Sequence, residues 1–287
     1  METAELLKKV RKIEIKTRGL SNQIFSGEYH SAFKGRGMTF SEVREYQAGD
    51  DIRTIDWNVT ARFNHPYVKV FEEEREMTVM LLVDVSGSGE FGTQKQFKQE
   101  LITELCAVLA FSSIQNNDKI GVIFFSDKIE KFIPPKKGKS HVLRIIRDLI
   151  EFEPEHKKTD VQLALKYLTG VIKKRSIAFV ISDFVSPDFS DALKIANKKH
   201  DLVALRIYDK REQELPDVGL LKMKDAETGD VKWVDTSDKK VRASFAAEAL
   251  KKEKYLNDVF NKSGVDSAKI STSESYIVPL TNLFKRR

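Results

Sequence analysis

Asp84, Ser86 and Ser88 stand at alternate positions directly after the apolar run 78–83. Alternate residues of an extended segment point the same way, so one carboxylate and two hydroxyls can face a single point. Two more oxygen donors recur at comparable junctions: Thr159 opens a helical run that continues to Leu165, and Asp183 ends the apolar run 177–182. Two carboxylates and three hydroxyls suit a hard divalent cation. Magnesium takes octahedral oxygen coordination and leaves positions to water or a partner's oxygen, and manganese or calcium accepts the same donors. The expected arrangement puts the hydroxyls on the ion, with Asp84 and Asp183 binding it directly or through water. Such a site stays electropositive and attracts a carboxylate from another protein.

Three other readings compete. Asp84 and Asp183 could cap local structure, with the hydroxyls as turn formers. The stretch Gly87–Gly92 matches the spacing of a dinucleotide-binding loop between strand and helix, which would make the chain a nucleotide-binding or hydrolytic enzyme. Against it, the next strand begins near residue 119, too late for a unit of ~30 residues. No acidic residue closes a second strand at the required distance, and Glu90 would meet a pyrophosphate with like charge. The third reading is a degenerate scaffold whose site never fills, because the ammonium groups of Lys157 and Lys158 precede Thr159. Ser86 excludes a paired phosphotransfer aspartate. His30, His65, His141, His156 and His200 show no metal spacing and none pairs with a candidate nucleophile; Cys106 is the only cysteine, in an apolar helical run. Zinc chemistry and Ser-His-Asp catalysis therefore lack their residues, and the chain reads as non-catalytic.

The elements that must position these donors are legible from about residue 71 onward. Apolar strands are expected at 77–84, 119–126, 176–182 and 201–208, and a short edge strand at 128–133 is closed by Pro134 and Pro135. Helices are expected over 94–115, 139–150, 160–173 and 189–198. Near-continuous Val, Ile, Leu and Phe in strands that alternate with helices imply a mostly parallel, doubly wound α/β sheet covered on both faces. Residues 217–236 alternate around Gly229 and predict an inserted β-hairpin. A helix over 239–262, a strand over 268–272 and a helix over 276–285 complete the chain. Before residue 71, a short amphipathic helix is expected over 4–16, followed by an irregular, glycine-rich stretch. The expected division is 1–70, an N-terminal segment packed on the main domain, and 71–287, the main domain.

The chain of 287 residues has 41% hydrophobic and 32% charged residues, which fits a globular protein with a real core. The formal charge of +6 is spread among acidic residues, so no nucleic-acid footprint stands out. No stretch reaches the length of a membrane span, the first residues lack a secretory apolar region, and the expected address is the cytoplasm.

Residues 35–62 are dense in Arg, Asp and aromatic side chains. Asp50, Asp51 and Asp56 alternate with Arg44, Arg53 and Arg62, so bidentate pairing is expected to fix an irregular loop, with Trp57 and Tyr46 as apolar anchors. A partner-docking surface is the alternative role for this segment.

The donor set Asp84, Ser86, Ser88, Thr159 and Asp183 resembles, in order and type, the metal-ion-dependent adhesion site of von Willebrand factor A domains. Residues 120–126 and 133–135 resemble that family's middle strands. Lys157 and Lys158 stand where that family carries glycines, Phe184 where it often carries glycine, and Gly89 where methionine is common. The 35–62 segment, with Phe71–Arg75, resembles the bacterial family catalogued as domain of unknown function fifty-eight, which couples such a segment to a von Willebrand factor A domain. That resemblance extends to the tail from Tyr276 to Arg287. It implies a von Willebrand factor A-like fold and a metal-dependent protein-interaction module. The implied partner is a MoxR-type AAA ATPase or its client, in complex assembly or maturation.

Overall fold

The computed structural model describes residues 13–14, 38–73, 76–87, 97–224 and 230–287. The helix expected over 4–16 lies outside these residues except for Ile13 and Glu14. The chain forms two compact units, Phe33–Met77 and Thr78–Arg287, and the latter also takes in Ile13 and Glu14. In the first, β1 (Met38–Glu45) pairs antiparallel with β2 (Tyr67–Glu73), with a bulge between Phe40 and Glu42. Because β2 continues to Glu73, the unit runs past residue 70. Its connection is held by polar groups. Arg44 forks onto both oxygens of Asp50 at 2.7 Å. Asp51 and Asp56 act as caps: Asp51 accepts from Arg53 N at the head of a 3-10 turn, and Asp56 accepts from Asn58 N and Val59 N at the head of α1 (Trp57–Phe63). Asp56 also pairs with Lys69 at 3.4 Å.

Trp57 does not serve as the expected apolar anchor. Trp57 is 67% exposed, and Tyr46 is half-buried. A unit this small has little interior to offer an indole, and the caps and the Arg44 fork fix the loop instead.

The second unit contains β3 (Thr78–Asp84), α2 (Lys98–Gln115), β4 (Lys119–Phe125), β5 (Ile129–Lys136), α3 (Lys139–Glu151), α4 (Val161–Val171), β6 (Ile177–Ser182), α5 (Ser190–Lys199) and β7 (Asp201–Tyr208). After them come the hairpin strands β8 (Leu220–Lys224) and β9 (Val231–Asp235), then α6 (Lys239–Ser263), β10 (Asp266–Ser271) and α7 (Ile277–Lys285). The strand order is β10-β7-β6-β3-β4-β5, parallel throughout except for β5 against β4. The fold is thus α/β with a mostly parallel six-stranded sheet, and β8–β9 form a separate two-stranded sheet.

Alternation along the strands sends side chains to two helical layers. Met80, Leu82, Ala178 and Val180 pack with residues of α4, α5 and α6. From the opposite face Phe179 meets Phe284 of α7 edge-on, with ring centroids 6.4 Å apart. Pro134 and Pro135 do not end β5, which runs on to Lys136. As the outermost strand β5 tolerates prolines, and Gly121 opposite lets it come close: a Cβ there would lie 2.8 Å from Ile133 O and from Pro135 N. Among the described residues no helix is long and apolar enough to cross a membrane.

Strand order decides where a site can form. From β3 the chain builds outward through β4 and β5, then returns to lay β6, β7 and β10 on the other side. The reversal falls between β3 and β6, and doubly wound sheets bind ligands at the carboxyl ends of strands flanking such a point.

Candidate functional site

β3 and β6 are parallel neighbours, with Val83 opposite Ile181, so their carboxyl ends emerge side by side. Asp84 is the last residue of β3, and Asp183 directly follows β6. Both are buried. Ser182 Oγ donates to Asp84 Oδ2 at 2.5 Å, and Ser86 N donates to Asp84 Oδ1 at 3.0 Å. Asp183 Oδ1 accepts from Val185 N at 3.1 Å. The backbone that follows is tight: Phe184 has φ of 59°, the left-handed region that a glycine adopts more readily. The Phe184 ring packs against Phe189 and Phe260, at centroid distances of 5.8 and 5.1 Å, and this burial holds the residue in a costly conformation.

Thr159 is brought in by its neighbours. Gly87 N donates to Lys157 O at 3.0 Å, Asp160 N to Ser126 O at 2.9 Å, and Val161 N to Ser186 Oγ at 3.0 Å. These three bonds tie the Thr159 loop to the segments that follow β3, β4 and β6. Asp160 then caps α4 by accepting from Leu163 N. Thr159 is buried, and its Oγ1 has no hydrogen-bond partner among the described residues. Lys157 and Lys158 are exposed. Ser88, and all of the Gly87–Gly92 loop after Gly87, lie outside the described residues.

The cation in the site is one the sequence did not mark. Lys98, in the first turn of α2, is 1% exposed. Its Nζ donates to Asp183 Oδ2 at 3.1 Å and to Glu212 Oε1 at 2.6 Å. Glu212 is fixed by a capping box after β7: its Oε2 accepts from Asp209 N at 3.0 Å, and Asp209 Oδ1 accepts from Arg211 N at 2.8 Å. Thr272 Oγ1 in turn donates to Asp209 Oδ2 at 2.6 Å. The Asp209-x-x-Glu212 spacing was a readable capping-box pattern. Nothing local singles out Lys98 among the lysines of this chain.

Burial pushes the Asp84 carboxyl above the usual range, and the charge of Asp183 adds to the rise against the hydrogen bonds from Ser182 and Ser86. Burial pushes the Lys98 ammonium down, but Asp183 and Glu212 together outweigh it and hold its pKa above the ordinary value. A cavity of about 680 Å³ adjoins the site, with Asp84, Ser86, Gly87, Thr103, Leu149 and Lys157 in its wall. Among the described residues no three His, Cys, Asp or Glu side chains gather as a metal cage, so an ion at this edge would depend on hydroxyl oxygens as well as the two aspartates.

A family model described as protein of unknown function DUF58 matches residues 42–255. The uncharacterized protein Rv1480 of Mycobacterium tuberculosis is 29% identical over 252 residues, which cover 87% of this chain and 79% of that protein. The uncharacterized protein YeaD of Bacillus subtilis is 28% identical over 109 residues, 38% of this chain and 25% of its own. Among solved structures, the conserved hypothetical protein BatB from Bacteroides thetaiotaomicron aligns with a TM-score of 0.47 at 15% identity, covering 73% of this chain and 98% of that one.

Proposed function

The chain belongs to the DUF58 family of proteins of unknown function, and from that premise we propose that it is a non-catalytic, divalent-metal-dependent protein-interaction module. The observation that carries this reading is the Thr159 hydroxyl, buried and without a partner among the described residues, at the edge where Asp84 and Asp183 emerge. A buried hydroxyl left open costs ~1–3 kcal/mol, and an ion held by the same group would remove that cost. The residues fit a hard cation. Asp84, Ser86, Thr159 and Asp183, together with Ser88, would hold magnesium, manganese or calcium. When bound, the ion supplies an electropositive centre with a coordination position open to a carboxylate of another protein.

This chain's own residues do the rest. Ser182 and Ser86 N orient Asp84, Val185 N orients Asp183, and the adjoining cavity gives an incoming side chain room. By family resemblance the partner is a MoxR-type AAA ATPase or a client of one, in complex assembly or maturation in the cytoplasm. The test is affinity capture with the wild type and the Asp84→Ala/Ser86→Ala variant, in magnesium and in EDTA. Capture of the ATPase is expected in magnesium alone and with the wild type alone. Equal capture in all four conditions would remove metal-dependent adhesion as the mechanism. Calorimetric titration is expected to give heat with manganese and none with NAD or ATP; heat with a nucleotide would favour an enzyme instead.

A further inference from the structure

Lys98 and Glu212 have no place in the donor set just described, yet they occupy its edge. We infer that they form a built-in counter-ion device that sets the affinity of the Asp84–Asp183 site for a divalent cation: the Lys98 ammonium competes with the metal for Asp183, and Glu212 draws that ammonium away. The inference rests on the metal reading of the site and deepens it.

Geometry carries the argument. The ammonium is almost wholly buried and bridges two carboxylates, with the shorter bond, 2.6 Å, to Glu212 and the longer, 3.1 Å, to Asp183. Asp183 Oδ2 is therefore shared with a resident cation before any metal arrives. A metal on the Asp183 carboxylate brings two like charges within a few ångströms in a poorly screened interior, where their repulsion is large. Glu212 is what makes room for both. Its side chain is 34% exposed and stands on the short turn after β7, where Asp209 fixes one oxygen and leaves the other for Lys98. Counting Asp84, Asp183 and Glu212 against Lys98 leaves two negative charges in excess when all are ionised, which is the charge of one divalent ion. Without Glu212 the ammonium would have Asp183 as its remaining carboxylate partner among the bonds described, and the metal would meet it at full strength.

The two members of the device should therefore shift metal affinity in opposite directions. Manganese is the probe, titrated by calorimetry and by its own spin resonance, against wild type, Lys98→Met, Glu212→Gln and Asp84→Ala, with folding checked by circular dichroism. Lys98→Met is expected to bind manganese about tenfold tighter than wild type or better, and Glu212→Gln about tenfold weaker. Asp84→Ala should abolish binding in either background. Should Lys98→Met fail to fold, Lys98→Gln, one bond shorter but with a polar, uncharged end, is expected to shift the same way. A wild type with no detectable binding, beside an Asp84-dependent site in Lys98→Met, would support the inference in its strongest form. Asp84-dependent binding that is equal in wild type, Lys98→Met and Glu212→Gln, or shifted the same way in both variants, would overturn the device and leave the metal site standing. Absence of Asp84-dependent binding in every protein would overturn both.

Discussion

The sheet buries polar groups at both ends of its central strands, and one pair at the amino end differs in kind from the cluster at the carboxyl end. At the amino ends, Ser176 precedes β6 and His200 precedes β7, and Ser176 Oγ lies 3.0 Å from His200 Nδ1. His200 is fully buried, and burial, aided by the charges of Lys199 and Arg175, pushes its pKa down to about 4. That pair is kept neutral, although the same end also carries the buried Asp118 and the Asp201–Arg287 ion pair. At the carboxyl ends of β3 and β6, Asp84, Asp183 and Lys98 are buried with their charges placed against one another. Neutral pairs lock a junction at little electrostatic cost, whereas buried ions are expensive to desolvate and need a reason to remain. The proposed metal site would supply that reason at the carboxyl end.

The largest effect should come from breaking that end open. In EDTA, Lys98→Met leaves Asp183 buried with its backbone donor and no ammonium, and removing one partner of a buried pair costs about 3–5 kcal/mol. Chemical denaturation should show this loss, with recovery on adding manganese. If Lys98→Met is as stable as wild type in EDTA, the charged cluster is no more strained than the neutral pair and the contrast fails.

The neutral pair makes a smaller prediction, with its own sign. In the unfolded chain His200 takes up a proton near its ordinary pKa of ~6.5, while in the folded protein it does so only near 4. Between these values the unfolded state binds the extra proton, so stability is full above the upper value and falls as pH falls toward the lower one. The loss should be roughly 3 kcal/mol, read as a declining denaturation midpoint, and His200→Gln should flatten that part of the profile. A profile unchanged by His200→Gln would mean the buried ring is not kept neutral.

Much of this contrast was readable in the sequence. The apolar runs at 78–83 and 177–182 announced buried parallel strands, and the polar residues just after them were bound to meet once those strands became neighbours. Other features depended on tertiary placement. Pro134 and Pro135 read as a stop, but an edge position and Gly121 opposite allow the strand to continue. Phe184 holds a left-handed backbone because its ring has Phe189 and Phe260 to pack on, which no local rule reveals. Lys98 meets Asp183 across 85 positions and Glu212 across 114. A lysine in a polar stretch gives no sign that it will be buried, and the partners that make it tolerable lie beyond any sequence window.

The smallest stability effect gives the sharpest separation of structure from function. Thr159 sits at the charged end, yet its hydroxyl is unpaired among the described residues. If its role were structural, Thr159→Val would remove an acceptor or donor from some neighbour and destabilise the protein. With no such neighbour, the substitution trades a buried open hydroxyl for a methyl of similar size, and stability in EDTA should hold or rise by up to ~1 kcal/mol. Metal binding should move the other way, because valine offers the ion no oxygen. A variant that is equally or more stable without metal, and no longer gains stability from manganese, places Thr159 on the ligand side of the comparison. A variant that loses stability in EDTA and still gains from manganese as wild type does would return Thr159 to the structural side, along with Ser176 and His200.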